Sequence, residues 1–228
     1  MKKVALLCAG LSPEFIAKKY GGKKEWFRWL ITREDVEFDI RMVFDNESVE
    51  IQQGDAWIIT GSASSVTDRT DWILNLEEII RKGQKRGIPM LGICFGHQVI
   101  ASALGGKVIR NPLDWEVGSH MIALNETGRL NKLFTGIPDP FIGYETHEDV
   151  VSELPAGAEL LAENDKGIQA FKFGDTIYGV QFHPEFTWEI MCDYSDLRKA
   201  QGIRVDCDEV IKTTHGVEIL NNFIKYFV

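Results

Sequence analysis

A chain of 228 residues with 44% hydrophobic side chains suits one domain, or one domain with a small appendage, and can bury a sizeable core. Its 25 basic and 34 acidic residues leave a net charge of −9, which argues against nucleic acid as the main partner because phosphate binding rests on a basic footprint. No apolar run reaches membrane-spanning length, and Cys8, Cys94, Cys192 and Cys207 are far apart with no C-x-x-C pair, so neither a membrane protein nor a zinc or disulfide framework is expected.

The apolar start of the chain is too short for a signal peptide and runs straight into Gly10 and Ser12-Pro13. It reads as a buried parallel strand over residues 4–8, and a reducing, cytoplasmic setting is the expectation. Ser12-Pro13-Glu14 predicts a helix capped by Ser12 with Pro13 at its first position. Gly21-Gly22 ends it. A second helix from Lys23 is predicted to carry Trp26, Trp29 and Leu30 on one packed side. Strands follow over residues 38–44 and 56–60, the latter ending at Gly61-Ser62. After a polar loop, Asp71 is placed as the cap of a helix. Ile73, Leu76 and Ile80 line its inner face, with Glu77, Glu78, Arg81 and Lys82 toward water. Gly87 and Pro89 stop it.

The next stretch organises the chain. An apolar run over residues 89–93 leads into Gly92-Ile93-Cys94-Phe95-Gly96-His97-Gln98, and a helix over residues 95–104 leads out. Cys94 at the join, with a glycine two residues away on each side, matches a strand-to-helix nucleophile elbow in thiol form. Side chains at positions 92 and 96 would collide with the neighbouring strand and helix. The sulfur would sit at a helix N-terminus, where the dipole favours thiolate, and the N–H of Phe95 would face a developing oxyanion. Alternating strands and helices imply a parallel sheet with right-handed crossovers, so the elbow lies at the carboxyl ends of strands, where such sheets bind ligands.

Short strands are predicted over residues 107–110, 118–124, 159–162, 167–173 and 176–182, with Gly174-Asp175 as a hairpin turn. The last of them runs into Gln181-Phe182-His183-Pro184-Glu185. A catalytic cysteine needs a base, and the base needs an orienting group. Side chains two apart at a strand end share a side, so His183 and Glu185 are expected to converge on the end of the sheet that holds Cys94. A helix begins at Thr187-Trp188. Val217, Leu220, Ile224 and Phe227 form a packing stripe in the last one. No internal repeat or second-domain boundary is visible, so residues 1–228 read as a single domain.

The cysteine elbow, Gly105-Gly106-Lys107-Val108 and Gln181-Phe182-His183-Pro184-Glu185 together resemble the class I, triad-type glutamine amidotransferases, in particular the free-standing group similar to the glutaminase domain of GMP synthase. The resemblance runs from Thr60-Gly61-Ser62 to Phe186. It implies an α/β, flavodoxin-like, doubly wound and mostly parallel sheet with added antiparallel strands. It also implies hydrolysis of the side-chain amide of L-glutamine through a glutamyl thioester, with Cys94 as nucleophile, His183 as base and acid, and Glu185 orienting His183.

N–H groups of Phe95 and the Gly61-Ser62 turn are expected to hold the oxyanion. Gln98, Thr146 and His147 match positions that border the substrate, although Gln98 on a helix surface and His147 on the protein surface are equally open readings. Glu116-Val117-Gly118 matches a structural signature, and His97, His120 and His215 receive no role. No metal or cofactor is implied. Many relatives have Gly-Gly-Pro where this chain has Gly61-Ser62-Ala63; if position 62 needs a positive φ, serine is strained there.

With so few residues after Glu185, no fused synthetase domain is expected, and no Gly-rich phosphate loop is present. Three functions compete. One is a glutaminase that passes ammonia to a separate synthetase subunit. Another is a stand-alone hydrolase of γ-glutamyl peptides, with residues 10–22 and 111–116 (including Trp115) shaping its pocket. The last is a non-catalytic module that kept the fold.

Overall fold

In the computed structural model, which describes residues 1–50, 55–205 and 209–228, eleven strands form two sheets among the described residues. They are β1 (Lys2–Cys8), β2 (Val36–Met42), β3 (Ala56–Ile59), β4 (Met90–Ile93), β5 (Lys107–Arg110), β6 (Glu116–Leu124), β7 (Phe141–His147), β8 (Asp149–Glu153), β9 (Ala158–Asn164), β10 (Gly167–Phe173) and β11 (Ile177–Val180). The main sheet runs β2-β1-β3-β4-β11-β10-β9-β6-β7, and β5 pairs with β8 beside it. The first five strands of that order are parallel and the remaining pairings antiparallel, as expected of a flavodoxin-like sheet with antiparallel additions.

Continuous apolar strands are the mark of a sheet covered on both faces, and the alternation can be followed residue by residue. Val4, Leu6 and Cys8 of β1, with Ala56 and Ile58 of β3, enter one core. Ala5, Leu7, Trp57 and Ile59 enter the other. Helices α1 (Glu14–Tyr20), α2 (Lys23–Leu30), α3 (Asp71–Lys85), α4 (Phe95–Ala103), α5 (Glu126–Leu130), α6 (Trp188–Ala200) and α7 (His215–Phe227) complete the fold. The first core is closed by Phe27 of α2 and by Ile219, Leu220, Phe223 and Ile224 of α7, each contributing about 1.5–3 kcal/mol by leaving water. The second is closed by α3 and α4. A third cluster, with Ile16, Trp26, Phe186, Ile190 and Tyr194, ties α1, α2 and α6 to the carboxyl end of the sheet.

Several elements differ from expectation. β2 begins two residues earlier and stops at Met42, because all seven of its residues pair with the seven of β1; residues 43–45 then turn as a short 3₁₀ segment. Helix α1 starts at Glu14 with Pro13 in the cap position, so Ser12 does not cap it. Asp71 is the first residue of α3 rather than its cap, which falls on Thr70. Trp29 is 66% exposed, since α2 packs through Trp26, Phe27 and Leu30.

Glu77 is buried rather than solvated: it accepts 2.6 Å from Ser102 Oγ of α4, with Arg81 and Arg69 at 3.5 and 3.6 Å. The widened buried arc of α3 follows from its contact with both the sheet and α4. The sequence pattern does not predict β7 and β8; in β7 the buried Glu145 and His147 pair with each other and with Glu116 of β6 instead of alternating with apolar residues. Cys8, Cys94 and Cys192 form no disulfide among the described residues, and Cys207 lies outside them. No helix among the described residues is long and apolar enough to cross a membrane.

Candidate active site

The elbow forms where β4 passes into α4. Cys94 takes φ 53° and ψ −105°, a conformation that side-chain-bearing residues rarely adopt and that a functional site sustains. The two glycines make it possible. A Cβ on Gly92 would lie 2.3 Å from the Gly96 carbonyl oxygen, and one on Gly96 would lie 2.2 Å from the Ile59 carbonyl oxygen. Cys94 is buried, its N–H donates to the Val180 carbonyl at 2.9 Å, and its side chain stands at the first turn of α4.

His183 and Glu185 lie in the turn that follows β11, not on the strand itself, which ends at Val180. They converge because the chain bends at Pro184, with the Phe186 N–H returning to the His183 carbonyl at 3.3 Å. Glu185 Oε1 is 2.9 Å from His183 Nδ1, which fixes the tautomer so that Nε2 is the free ring nitrogen. Phe186 stacks on the imidazole with centroids 4.1 Å apart, and Tyr194 of α6 stacks behind Phe186 at 4.7 Å. Burial pushes the His183 pKa down, but the charges of Glu185 and Cys94 outweigh it and hold the pKa up at about 10. The environment therefore favours an imidazolium beside the sulfur.

Gly61 packs between the two. A Cβ there would lie 3.0 Å from His183 Cε1 and 3.5 Å from Cys94 Cβ, so glycine is needed for clearance. Neither Gly61 nor Ser62 has a positive φ, and serine at position 62 is not strained as anticipated. The Ser62 N–H has no acceptor among the described residues. With the N-terminal N–H of α4 at Phe95, it offers two free donors beside Cys94.

Two cavities meet at Cys94, Ser62, Ala63, Thr146 and Arg198. The first, about 160 Å³, also takes in Gln98, Trp115, His147 and Asp149. The second, about 370 Å³, lies on the His183 side and is walled by Leu11, Pro13, Phe15, Phe186, Tyr194 and Leu197. Gln98 is buried, not on a helix surface; its Nε2 donates to the Asp149 carbonyl at 2.7 Å and to Gln181 Oε1 at 3.1 Å. Thr146 and His147 end strand β7. Thr146 Oγ1 accepts from Arg198 Nε at 2.9 Å, and the Arg198 guanidinium lies over the Trp115 ring at 4.5 Å.

His147 is not a surface residue. Its Nε2 is 3.0 Å from Glu116 Oε2 and 3.1 Å from Glu145 Oε2, all three residues being buried. Burial opposes charge on His147, yet the two carboxylates hold its pKa well above the usual value. Burial and the neighbouring Glu116 push Glu145 up to about 7. Their ligand atoms are close enough to hold a metal ion, but a protonated His147 already supplies the positive charge between the two acids. The cluster braces β6 against β7 behind the first cavity. Glu116 is thereby a framework residue, in keeping with the structural role of its motif.

Lys23, Tyr194 and Arg198 also line the site, and nothing in the sequence singles them out; Phe186 lines it next to the His183-Pro184-Glu185 motif. Each of the first three reaches the site through tertiary packing, and none of them sits in a local pattern that marks chemistry.

The family model of class I glutamine amidotransferase matches residues 25–191. The chain is 34% identical over 220 residues to gamma-glutamyl peptidase 4 of Arabidopsis thaliana, covering 93% of this chain and 88% of that one. It is 35% identical over 153 residues to the glutamine-hydrolysing GMP synthase subunit of Pyrococcus abyssi, covering 66% of each. A crystal structure of a glutamine amidotransferase from Thermotoga maritima superposes with a TM-score of 0.76 at 20% identity, over 100% of this chain and 98% of the other.

Proposed function

This chain belongs to the class I glutamine amidotransferase family, and on that premise we propose that it hydrolyses γ-glutamyl amides through a Cys94–His183–Glu185 triad, with L-glutamine as the smallest substrate. The observation that carries this reading is the pairing of His183 Nδ1 with Glu185, 2.9 Å apart, on a ring whose buried Nε2 has no hydrogen-bond partner among the described residues and which meets Cys94 beside Gly61. A base held in that way is prepared for one proton transfer.

The Cys94 thiolate attacks the amide carbon, and the carbonyl π electrons move onto oxygen, where the N–H groups of Ser62 and Phe95 receive the charge. His183 Nε2–H protonates the leaving nitrogen as the C–N bond breaks, which leaves a glutamyl thioester and a neutral imidazole. His183 then takes a proton from water. The resulting hydroxide adds to the thioester carbon, and collapse expels the Cys94 thiolate with glutamate as product. Glu185 stays ionised and holds the imidazolium. The first cavity receives the glutamyl group and the second the leaving group. Passage of ammonia to a separate synthetase is a further proposal, supported by the likeness to the glutamine-hydrolysing subunit of GMP synthase.

The second cavity favours one reading within this scheme. Ammonia needs little room, whereas about 370 Å³ with largely apolar walls accommodates an amino-acid residue on the leaving nitrogen. The test is a kcat/KM comparison of L-glutamine with a panel of γ-glutamyl dipeptides. At least one dipeptide with an apolar second residue is expected to exceed glutamine by about tenfold or more, the discrimination that one or two buried methylenes give. Glutamine ahead of every dipeptide would make the chain a glutaminase and leave the second cavity unexplained.

A further inference from the structure

Resting on the triad reading above, we propose that Lys23 is a positioning residue for the reaction: by holding the Gly61 carbonyl it aims the Ser62 N–H at the place where the oxyanion forms. Lys23 opens α2 just after the Gly21-Gly22 break, and its half-buried side chain runs inward beneath the site. Its Nζ donates to the Gly61 carbonyl at 2.5 Å and to the Gly10 carbonyl at 2.9 Å. These carbonyls belong to the turns that leave β3 and β1. Gly10 also packs on Ser62: a Cβ at position 10 would lie 3.1 Å from Ser62 Oγ.

The geometry of a peptide unit makes the connection. In a trans peptide the carbonyl and the following N–H point in opposite directions. The one cis bond among the described residues is Asp139-Pro140, so the Gly61–Ser62 bond is trans. Drawing the Gly61 oxygen toward Lys23 turns the Ser62 N–H away from Lys23, and Ser62 borders both cavities together with Cys94. Among the described residues that N–H has no acceptor, which leaves it available to a bound oxyanion.

A lysine is an unusual residue for this position. Among the described residues its ammonium contacts carbonyl oxygens and no carboxylate within salt-bridge distance. Burial disfavours its charge and lowers its pKa, while Glu185, Cys8 and Cys94 act from a distance in the opposite sense. A hydrophobic residue would have packed α2 without that desolvation penalty.

The test compares Lys23→Met, Lys23→Arg and Ser62→Pro, with the Lys23→Met/Ser62→Pro double variant, on whichever γ-glutamyl substrate the wild type turns over. Lys23→Met is expected to lower kcat about 10- to 100-fold, less than the 100- to 1000-fold typical of deleting an oxyanion donor, with KM changed little. Lys23→Arg restores part of the loss. Ser62→Pro removes the N–H, so the double variant is expected to be no slower than Ser62→Pro alone. A folded Lys23→Met with unchanged kcat, a loss confined to KM, or multiplicative losses in the double variant would overturn the proposal.

If Lys23→Met fails to fold, Lys23→Leu removes the donor equally and is read in the same way; failure of both makes the lysine a structural staple and also overturns it. A wild type inactive on every substrate would refute the triad reading instead. The positioning would then be judged from a crystal structure of Lys23→Met, where an unaltered direction of the Gly61 carbonyl counts against it.

Discussion

Cys94→Ala is expected to abolish γ-glutamyl amide hydrolysis while leaving the fold intact. Neither of the other described thiols reaches the two cavities: Cys8 ends β1 with its side chain in the core, and Cys192 stands on α6 outside both cavity walls. Loss of a catalytic nucleophile costs about 10⁶-fold in turnover when no neighbour replaces it. The substitution removes one sulfur atom and keeps the backbone of the elbow, whose glycine clearances at 92 and 96 do not depend on the side chain at 94. Ammonia and glutamate release measured beside a thermal melt checks both halves. Residual turnover above about one part in a thousand would exceed what oxyanion donors and binding alone sustain, and would point to another nucleophile.

Glu185→Gln is expected to lower kcat by about 10²- to 10⁴-fold, since an amide in place of the orienting carboxylate leaves the imidazole without its counter-charge and can select the wrong tautomer. Glu185 is fully buried, so water cannot replace it. The pH profile carries the more specific signature. In the native site Glu185 and Cys94 hold the His183 pKa up at about 10 against the effect of burial. The imidazolium that protonates the leaving nitrogen is present below that value and lost above it, so wild-type activity falls only as pH rises through about 10. Without Glu185 the desolvation of the ring dominates, and the alkaline limb moves to lower pH. By the same sign, the stability that this pair contributes is fully present below the ordinary histidine pKa and disappears as pH rises through about 10. A profile of kcat/KM that stays in place in Glu185→Gln would mean that some other group sets the charge of His183.

The parts of this site legible in the sequence are those whose geometry is local. Gly92 is required by its contact with Gly96 inside the elbow and Gly96 by the Ile59 carbonyl of the adjacent strand β3, so two glycines around Cys94 mark the elbow over five residues. His183 and Glu185 are legible for a similar reason, although a turn at Pro184 rather than strand alternation brings them together. The parallel core followed from apolar runs at β1, β3 and β4. What escaped depends on pairing across the chain. Strand β7 is not predicted because Glu145, His147 and Glu116 satisfy one another only after β6 and β7 meet.

Periodicity placed Glu77 in water and Trp29 in the core. The structure reverses both, because the buried arc of a helix is set by how many neighbours it has and not by its own pattern. Lys23, more than thirty residues before the turn it contacts, carries no mark of that contact in its surroundings.

The proposed reaction passes through a covalent intermediate at one sulfur. Acid quenching of the enzyme during turnover of its best γ-glutamyl substrate, followed by mass analysis of its peptides, tests this directly. The triad mechanism predicts a single γ-glutamyl group on the peptide that contains Cys94, lost on treatment with hydroxylamine and absent from Cys94→Ala. Product accumulating with Cys94 unmodified throughout, or with the glutamyl group on a different residue, would contradict it.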